Sequence, residues 1–516
     1  MKQFVKKKVS FVMVMIMAVI TVISMSLPMA VFAQGGGYTL TLKNEGSTPH
    51  TFQIYQIFSG DLDESKTLSN IQWGTGIKEA SKETLGTAAE KAQTLTGESE
   101  AKEFAKTIQE HLNEDNKLEV RVEKNDSTTV ANLNAGYYLI KDKEGSQTQT
   151  PPNSAYTSYI LKVVGNTTAK TKLDVPELVK KVQENSKKDI EGNGWQDAAD
   201  YNIDEVIPYK LTGTLPSNYA EYETYFYEFN DIMSAGLTFD KMSVKVTVDG
   251  TTLTAGQGYS PVMRKYDQDY SLIVHSDTNS FQVRFENLKA IQSVMITSTS
   301  QIVVEYKCRL NGNAVIAGNG NPNTAYLVYS NNPNQSGGGD HGKTPEDKNV
   351  VFTYKVVVNK KDEENHSLQG AQFELRKIVN DQDEGTKIDT VTVTEGTKFN
   401  FKGLDAGKYK LIETVTPSGY NTIQPIIFTI EATYDEESDD PQLTSLTGQT
   451  EGEIVFIRKT EEREDSLSTD VINKKGIQLP ETGGMGRYLI YTLGTIFVLT
   501  ALGYTVYKRN RKHTEK

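Results

Sequence analysis

One run of residues near the C-terminal end restricts the fold of the chain more than any other. No charged side chain occurs from Tyr488 to Tyr507, and the basic segment from Lys508 to Lys512 follows at once. About 20 largely apolar residues are long enough to cross a bilayer as a helix, and a cluster of positive charges is retained on the cytoplasmic side. The sequence therefore predicts a membrane helix, with the preceding part of the chain outside the cell.

The N-terminal end agrees with this topology. Four lysines among the first eight residues precede an apolar run from Phe11 to Ile23, and small residues up to Ala33 offer a signal-peptidase site. We therefore expect a signal peptide over residues 1–33. At roughly 150 residues per domain, the remaining extracellular chain would form about three domains.

Charge and cysteine content exclude several classes of protein. The formal net charge is −12, whereas nucleic-acid binding needs clustered positive charge. Cys308 is the only cysteine, so an exported chain would have no intramolecular disulfide. The histidines form no HExxH motif, and the sequence has no recognisable Ser-His-Asp pattern or glycine-rich phosphate loop. We expect no cofactor, no metal and no enzymatic activity.

Between its two ends the chain has a mainly β pattern, in three segments over about 38–170, 177–335 and 350–475. Alternating apolar and polar residues, as over 51–58, are typical of half-buried strands, and residues 350–475 have turns about every ten residues, which favours a β-sandwich. An Ala-, Glu- and Lys-rich stretch over 78–113 predicts a helical insertion. Residues 135–142 and 406–413 each place an acid six residues after a glycine, which suggests related modules.

The third segment contains residues with the chemistry for a crosslink. Lys360 shares one strand face with Val356 and Val358, and a buried lysine needs a partner or a lowered pKa. Glu413 and Asn473 lie on later strands as candidate partners. A neutral amine can attack an amide that a carboxyl group polarises, with loss of ammonia, so the trio could form a Lys–Asn amide bond. The alternative is a solvated lysine at a strand edge with a surface glutamate.

The pentapeptide Leu479-Pro480-Glu481-Thr482-Gly483 stands directly before the membrane segment. With the apolar span and the basic tail, it resembles the LPXTG cell-wall sorting signal of Gram-positive surface proteins. The resemblance implies that a membrane sortase cleaves between Thr482 and Gly483 and transfers the Thr482 carboxyl group to an amine. A plain membrane anchor with a chance LPETG is the alternative.

The third segment is similar to the Cna-B-type immunoglobulin-like domain of Gram-positive pilins. The resemblance rests on Lys-x-Asp in the opening strand, on YxLxE followed by Pro-Ser-Gly-Tyr, and on the closing Ile-Asn-Lys. It implies an autocatalytic isopeptide bond between Lys360 and Asn473, assisted by Glu413.

The second segment resembles the middle isopeptide domain of pilus backbone subunits. The resemblance implies a bond from Lys180 to Asn331 with Asp231 as the assisting acid. Lys181 and Asn332 are alternatives that differ by one residue.

The first segment offers a further trio, Lys43, Asp142 and Asn166. Lys43 falls on the opposite strand face from Leu40 and Leu42, so this bond would require a strand bulge.

Polymerisation by a sortase also needs an exposed lysine that accepts the next subunit. In backbone pilins this lysine lies near the junction of the first and second domains, but the familiar YPK spelling is absent here. The candidates are Lys172, which we prefer because it lies in the junction, Lys170 and Lys162.

Together these features resemble a sortase-assembled major, or backbone, pilin. The resemblance implies tandem immunoglobulin-like, Cna-B-type β-sandwich domains and a structural role in a covalently polymerised pilus anchored to the cell wall. The partners implied are a pilus-specific sortase, a housekeeping sortase, copies of the chain, peptidoglycan and minor pilins. A monomeric wall-anchored adhesin is the alternative. The expected domains are a signal peptide (1–33), an N-terminal domain (34–174), a middle isopeptide domain (175–345), a C-terminal Cna-B-type domain (346–478) and a sorting signal with membrane helix and basic tail (479–516).

Overall fold

The described chain forms three mainly β domains followed by one long helix, which confirms the predicted fold class. This computed structural model describes residues 37–46, 48–147, 153–170, 175–187, 194–256, 269–334, 340–379, 385–392, 396–450, 452, 454–461, 464–477 and 485–513. The predicted signal peptide and the pentapeptide at 479–483, including Thr482 and Gly483, lie outside these residues.

The first domain has two sheets and a helical insertion. One sheet has the order β5-β1-β8; the other has the order β3-β2-β6-β7, with β4 also paired to β2. Strand β2 is buried along most of its length because one face packs against the other sheet and the opposite face packs beneath the helices. The elements are β1 (Tyr38–Asn44), β2 (His50–Leu62), β3 (Leu68–Trp73), α1 (Glu79–Leu85), α2 (Ala88–Gln93), α3 (Glu98–Thr107), β4 (Leu118–Val122), β5 (Asp126–Leu133), β6 (Gly136–Asp142), β7 (Ser158–Val163) and β8 (Thr167–Lys170).

The middle domain is a sandwich of two larger sheets. Their orders are β10-β9-β12-β19-β14-β15 and β11-β22-β20-β13-β18-β17-β16, with β21 paired to β20. The strands are β9 (Leu178–Gln183), β10 (Trp195–Gln196), β11 (Ala198–Asp200), β12 (Val206–Gly213), β13 (Tyr227–Met233), β14 (Leu237–Val248), β15 (Thr251–Thr252), β16 (Ala255–Gly256), β17 (Tyr270–His275), β18 (Ser280–Phe285), β19 (Ile302–Leu310), β20 (Asn321–Ser330), β21 (His341–Lys343) and β22 (Asp347–Phe352). The domain boundary expected after residue 345 is too early, because β22 belongs to this sandwich.

The third domain is a smaller sandwich with sheet orders β26-β23-β31-β30 and β25-β24-β27-β28-β29. Its first strand, β23, and its last strand, β31, are parallel neighbours. The strands are β23 (Tyr354–Asp362), β24 (Gln372–Ile378), β25 (Thr386–Thr392), β26 (Lys398–Leu404), β27 (Gly407–Val415), β28 (Ile426–Tyr434), β29 (Leu443–Thr450), β30 (Ile457–Glu461) and β31 (Glu464–Asn473).

Helix α4 (Met485–His513) follows the third domain. Its segment Gly486–Arg511 contains an 18-residue stretch with a mean hydropathy of 1.7 and is long and apolar enough to cross a membrane. The helix position agrees with the span that the uncharged run predicts.

Polar contacts join consecutive domains. Between the first two, the backbone N–H of Tyr156 donates to the carbonyl oxygen of Asn331 at 2.7 Å. Between the last two, the Tyr354 hydroxyl donates to Asp200 Oδ2 at 2.7 Å. Burial, with the nearby Asp405 carboxylate as a further cause, raises the pKa of Asp200 well above its ordinary value. The domain junctions are therefore ordered through buried hydrogen bonds.

Candidate lysine–amide sites

In the third domain, Lys360 occupies an inward position of β23. Val356 and Val358 precede it on the same face, and all three side chains have 0% exposure. The Lys360 Nζ donates to the backbone oxygens of Lys361 at 3.1 Å and Val471 at 3.0 Å. The strand alternation therefore places this amine in the core rather than in solvent.

Glu413 and Asn473 meet on the same inward face. The Asn473 Nδ2 donates to both carboxylate oxygens of Glu413, each at 3.0 Å. Lys360 lies opposite Val471 in the parallel pair of β23 and β31, so Asn473 is the next inward residue along the neighbouring strand. Its Oδ1 is buried and has no hydrogen-bond partner among the described residues.

The surroundings of Lys360 favour its neutral amine. Burial is the main cause that lowers its pKa, to about 8, and the negative charges of Glu413 and Asp362 oppose this shift. A neutral amine has the lone pair that attack on a carboxamide carbon requires. The site can therefore join the amine to the Asn473 side chain, with Glu413 positioned to transfer a proton to the departing nitrogen.

In the middle domain, Lys180 and Asp231 face each other from opposite sheets. Lys180 points inward from β9 and Asp231 from β13, and both side chains have 0% exposure. The Lys180 Nζ donates to Asp231 Oδ2. Burial lowers the pKa of Lys180 and raises that of Asp231. Both shifts favour a neutral amine beside a protonated carboxyl group.

Tyr306 connects this pair to an amide. Its hydroxyl donates to Asp231 Oδ2 at 2.6 Å, and it accepts from Lys180 Nζ at 2.8 Å and from Asn323 Nδ2 at 2.9 Å. Asn323 is fully buried, and its Oδ1 has no hydrogen-bond partner in the described part of the chain. Lysine, acid and amide thus share one hydroxyl group in the core.

The predicted pairing of Lys180 with Asn331 is wrong. Asn331 follows the end of β20, and its Nδ2 donates to the backbone oxygen of Ser154 in the first domain at 3.1 Å. The alternative Lys181 forms ion pairs with Asp197 and Glu437. In the alternative Asn332, the side-chain oxygen accepts from the Asn334 backbone N–H at 3.0 Å.

The sequence does contain a signal for Asn323. Strand β20 alternates between buried and half-buried positions, and Asn323 precedes Ala325, Leu327 and Tyr329 on the buried face. An asparagine among apolar residues on one strand face needs a buried polar partner. A second amide, Asn349 on β22, lies opposite Asn323 and donates to the Lys180 backbone oxygen at 3.2 Å.

The trio predicted in the first domain does not come together. Lys43 is 47% exposed and pairs with Glu45 at 2.7 Å. The Asn166 Oδ1 accepts from the Thr39 backbone N–H at 3.1 Å, and Asp142 accepts from His50 at 2.8 Å. The only register shift between β1 and β5 lies between positions 38 and 40, so no bulge turns Lys43 inward.

The candidate acceptor lysines differ in exposure. Lys170, at the end of β8, is 60% exposed and pairs with Glu45 at 3.0 Å. Lys162 is half-buried within β7. Lys172, the preferred candidate, lies outside the described residues.

Among the described residues, one group with a buried member and two exposed members has ligand atoms close enough to hold a cation. These atoms, from Asp362, Glu364 and His366, lie within 4.8 Å of one another. The Asp362 Oδ1 already accepts from the backbone N–H groups of Glu364 and His366 at 3.0 and 2.8 Å. A local turn therefore accounts for the arrangement.

The middle and third domains, which contain Lys180 and Lys360, match known family models. Residues 203–333 match the model described as Gram-positive pilin backbone subunit 2, Cna-B-like domain, and residues 354–441 match a prealbumin-like fold domain. The first match includes Asp231 and Asn323; the second includes Lys360 and Glu413. The middle domain is thus similar to a Gram-positive pilin backbone domain, and the third domain is similar to a prealbumin-like fold domain.

Individual relatives extend this comparison. The chain is 26% identical over 368 residues to the trypsin-resistant surface T6 protein of Streptococcus pyogenes serotype M6. The matched region covers 60% of this chain and 65% of the T6 protein, so the chain spans less than two thirds of the length of that relative. The solved T6 backbone pilin of serotype M6 S. pyogenes is similar with a TM-score of 0.55 and 19% identity, over 86% of this chain and 100% of that one. The full-length major pilin SpaD of Corynebacterium diphtheriae is similar with a TM-score of 0.47 and 19% identity, over 87% of this chain and 100% of that one. The similarity to the T6 structure shows a shared modular three-domain fold.

Proposed function

We propose that the chain is a structural backbone subunit of a covalently polymerised cell-surface pilus. The T6 relative and the two pilin family matches support this role. The apolar helix α4 and the LPETG segment before it support anchoring and sortase processing. In this role the Thr482 carboxyl group joins a lysine of the next subunit, and the last subunit is transferred to peptidoglycan.

The observation that carries the proposal is the buried trio of Lys360, Glu413 and Asn473. Lys360 lies on the first strand of its domain and Asn473 at the end of the last, and these strands are parallel neighbours. Tension on the two chain ends therefore shears β23 against β31. An amide bond between the two side chains carries that load covalently, as a subunit within a fibre requires.

A second bond in the middle domain would act in the same way. Here the reacting groups are Lys180 and Asn323, with Asp231 as the proton-transferring acid and Tyr306 as the group that aligns them. Asn323 rather than Asn349 is the acceptor because it shares the Tyr306 hydroxyl with the lysine.

Peptide mapping tests the two bonds. Residues 34–482 are expressed, their intact mass is measured, and a digest is searched for branched peptides. Each bond lowers the mass by about 17 Da, the ammonia that leaves. Branched peptides should join Lys360 to Asn473 and Lys180 to Asn323. Linear peptides containing the unmodified Lys360 and Asn473 would contradict the proposal.

Polymerisation is tested in cells that carry the pilus sortase. A backbone subunit gives a ladder of high-mass species in surface extracts, and Lys172→Arg should collapse the ladder to a single band. Lys170→Arg and Lys162→Arg are the matched controls and should leave it intact. A single band from the unaltered chain would instead indicate a monomeric adhesin.

A further inference from the structure

A buried hydrogen-bonded chain of serine, histidine and aspartate lies in the first domain. The Ser154 Oγ is 3.1 Å from His50 Nε2, and the His50 Nδ1 is 2.8 Å from Asp142 Oδ1. All three residues are at most 2% exposed. His50 begins β2, Asp142 ends β6, and Ser154 precedes β7, so only the folded domain brings them together.

The arrangement can activate the serine hydroxyl. An N–H at Nδ1 donates to Asp142, which leaves the Nε2 lone pair to accept the Ser154 proton. The second oxygen of Asp142 accepts from the backbone N–H and the hydroxyl of Thr157 at 2.7 and 2.9 Å, which holds the carboxylate in place. Because the site is buried, the group that the serine attacks must belong to the chain itself.

The side-chain carboxamide of Asn331, in the middle domain, is the candidate for the group that Ser154 attacks. Its side chain has 0% exposure, and its Nδ2 donates to the backbone oxygen of Ser154 at 3.1 Å. The Tyr156 N–H, two residues after the serine, donates to the Asn331 backbone oxygen at 2.7 Å. The Asn331 Oδ1 is buried without a hydrogen-bond partner among the described residues.

Gln147 is the other carboxamide nearby, but it lies at the other side of the imidazole. Its Nε2 is 3.2 Å from His50 Nδ1, the nitrogen that contacts Asp142. A proton taken from Ser154 resides on Nε2, so the leaving nitrogen has to be near Nε2. Asn331, which contacts Ser154, satisfies this requirement better than Gln147.

We propose that Ser154 and Asn331 form an ester that joins the first domain covalently to the middle domain. His50 Nε2 takes the Ser154 proton while Oγ bonds to the Asn331 side-chain carbon. The carbon–Nδ2 bond then breaks, the proton passes from Nε2 to the departing nitrogen, and ammonia leaves. No oxidant, metal or cofactor is consumed. The inference does not depend on the pilus role, since it concerns one subunit.

Hydroxylamine distinguishes this ester from a Lys–Asn amide. The full chain is purified in detergent, denatured, treated with alkaline hydroxylamine or with the same buffer alone, digested and mapped. The untreated chain should give a branched peptide that joins Ser154 to Asn331, about 17 Da below the sum of its parts. Hydroxylamine should convert it to a free serine peptide and an Asn331 hydroxamate, while Lys–Asn branches persist.

Variants assign the roles. Ser154→Ala and His50→Gln should abolish the branched peptide, whereas Ser158→Ala should retain it, because the Ser158 hydroxyl has no hydrogen-bond partner in the described structure. The mapping of the unaltered chain does not rely on any variant folding. Linear, unmodified peptides for Ser154 and Asn331 in that chain would overturn the proposal. So would a branch to Gln147 or a branch that resists hydroxylamine.

Discussion

The middle and third domains each bury a lysine, an acid and an amide, but they connect them differently. In the third domain the acid binds the amide: Glu413 accepts two hydrogen bonds from Asn473, and Lys360 rests on backbone oxygens. In the middle domain the acid binds the lysine directly, and Tyr306 relays the contact to Asn323. The same chemistry can therefore be assembled with the acid on either partner, provided that burial keeps the amine neutral.

The two proposed crosslinks also differ in which strands they would hold together under tension. The proposed third-domain bond ties the first strand to the last. The proposed middle-domain bond would tie β9 to β20 and leave β22 held by strand pairing and by the Asn349 contact with the Lys180 backbone. The mechanical stability of the middle domain would therefore depend more on the hydrogen bonds of its last strand, β22.

The largest effect is expected for Asp231→Ala. It removes the assisting acid and leaves the buried Lys180 amine without its hydrogen bond to Asp231. Loss of a crosslink that closes a long loop costs about 5 kcal/mol, and a buried polar group that loses its hydrogen-bond partner costs about 1 to 3 kcal/mol more. Denaturant unfolding and peptide mapping should show a destabilised middle domain with unmodified Lys180.

Controls for this prediction are available in the same domain. Asp277→Ala changes an exposed acid in a turn and should alter neither readout. Asn323→Ala should abolish the branched peptide, whereas Asn349→Ala should preserve it. The opposite pattern would transfer the acceptor role to Asn349.

A smaller effect is expected for Glu413→Gln, because this acid contacts the amide and not the amine. The substitution should stop the reaction and cost the third domain about 5 kcal/mol through the lost loop closure, while the Lys360 amine keeps its hydrogen bonds to backbone oxygens. After correction for the Glu-to-Gln substitution itself, the intact mass should exceed that of the unaltered chain by about 17 Da, the ammonia that is no longer lost. The control is Glu431→Gln, at an exposed position of β28, which should leave the crosslink intact. A crosslink that survives in Glu413→Gln would show that the Glu413 carboxyl group is dispensable.

The smallest effect concerns pH and uses the unreacted Asn473→Ala background. Lys360 has a pKa of about 8 when folded and an ordinary value of 10.5 when unfolded. Between these values the unfolded state binds more protons, so the free energy of unfolding should rise with pH, by roughly 3 kcal/mol in total. Below pH 8 both states are protonated, and no change is expected from this group.

The matched control for pH is Lys360→Met in the same background, which removes the titrating amine. The difference in unfolding free energy between the two proteins should increase from pH 8 to 10.5. If the difference stays constant, Lys360 keeps an ordinary pKa and lies in a more polar environment.

Local patterns predicted more of the third domain than of the middle domain. Period-two alternation places Lys360 and Glu413 on buried faces, and the structure puts Glu413 in contact with Asn473 and Lys360 on the strand beside it. In the middle domain the same reasoning found Lys180 and Asp231 but selected Asn331 near the end of the segment. Strand β20 turns Asn323 into the core and directs Asn331 to the first domain, and no local pattern records which sheet faces which.

The first domain shows the same limit. The repeat at 135–142 and 406–413 aligns Asp142, the last residue of β6, with Glu413, the third residue from the end of β27. Their partners could not be predicted, because His50 and Ser154 approach Asp142 only through the pairing of β2 with β6 and the path before β7. A Ser-His-Asp arrangement was therefore not recognisable in the sequence.

The sequence by itself determined the mainly β architecture, the apolar helix near the C-terminal end and the burial of Lys180 and Lys360, because strand alternation and hydrophobic length are local properties of the chain. The tertiary structure alone decided which amide lies near each lysine and which residues form hydrogen bonds between the first and middle domains. Those contacts depend on sheet order and on how the sheets and domains pack, and residues far apart in sequence carry no local mark of that packing.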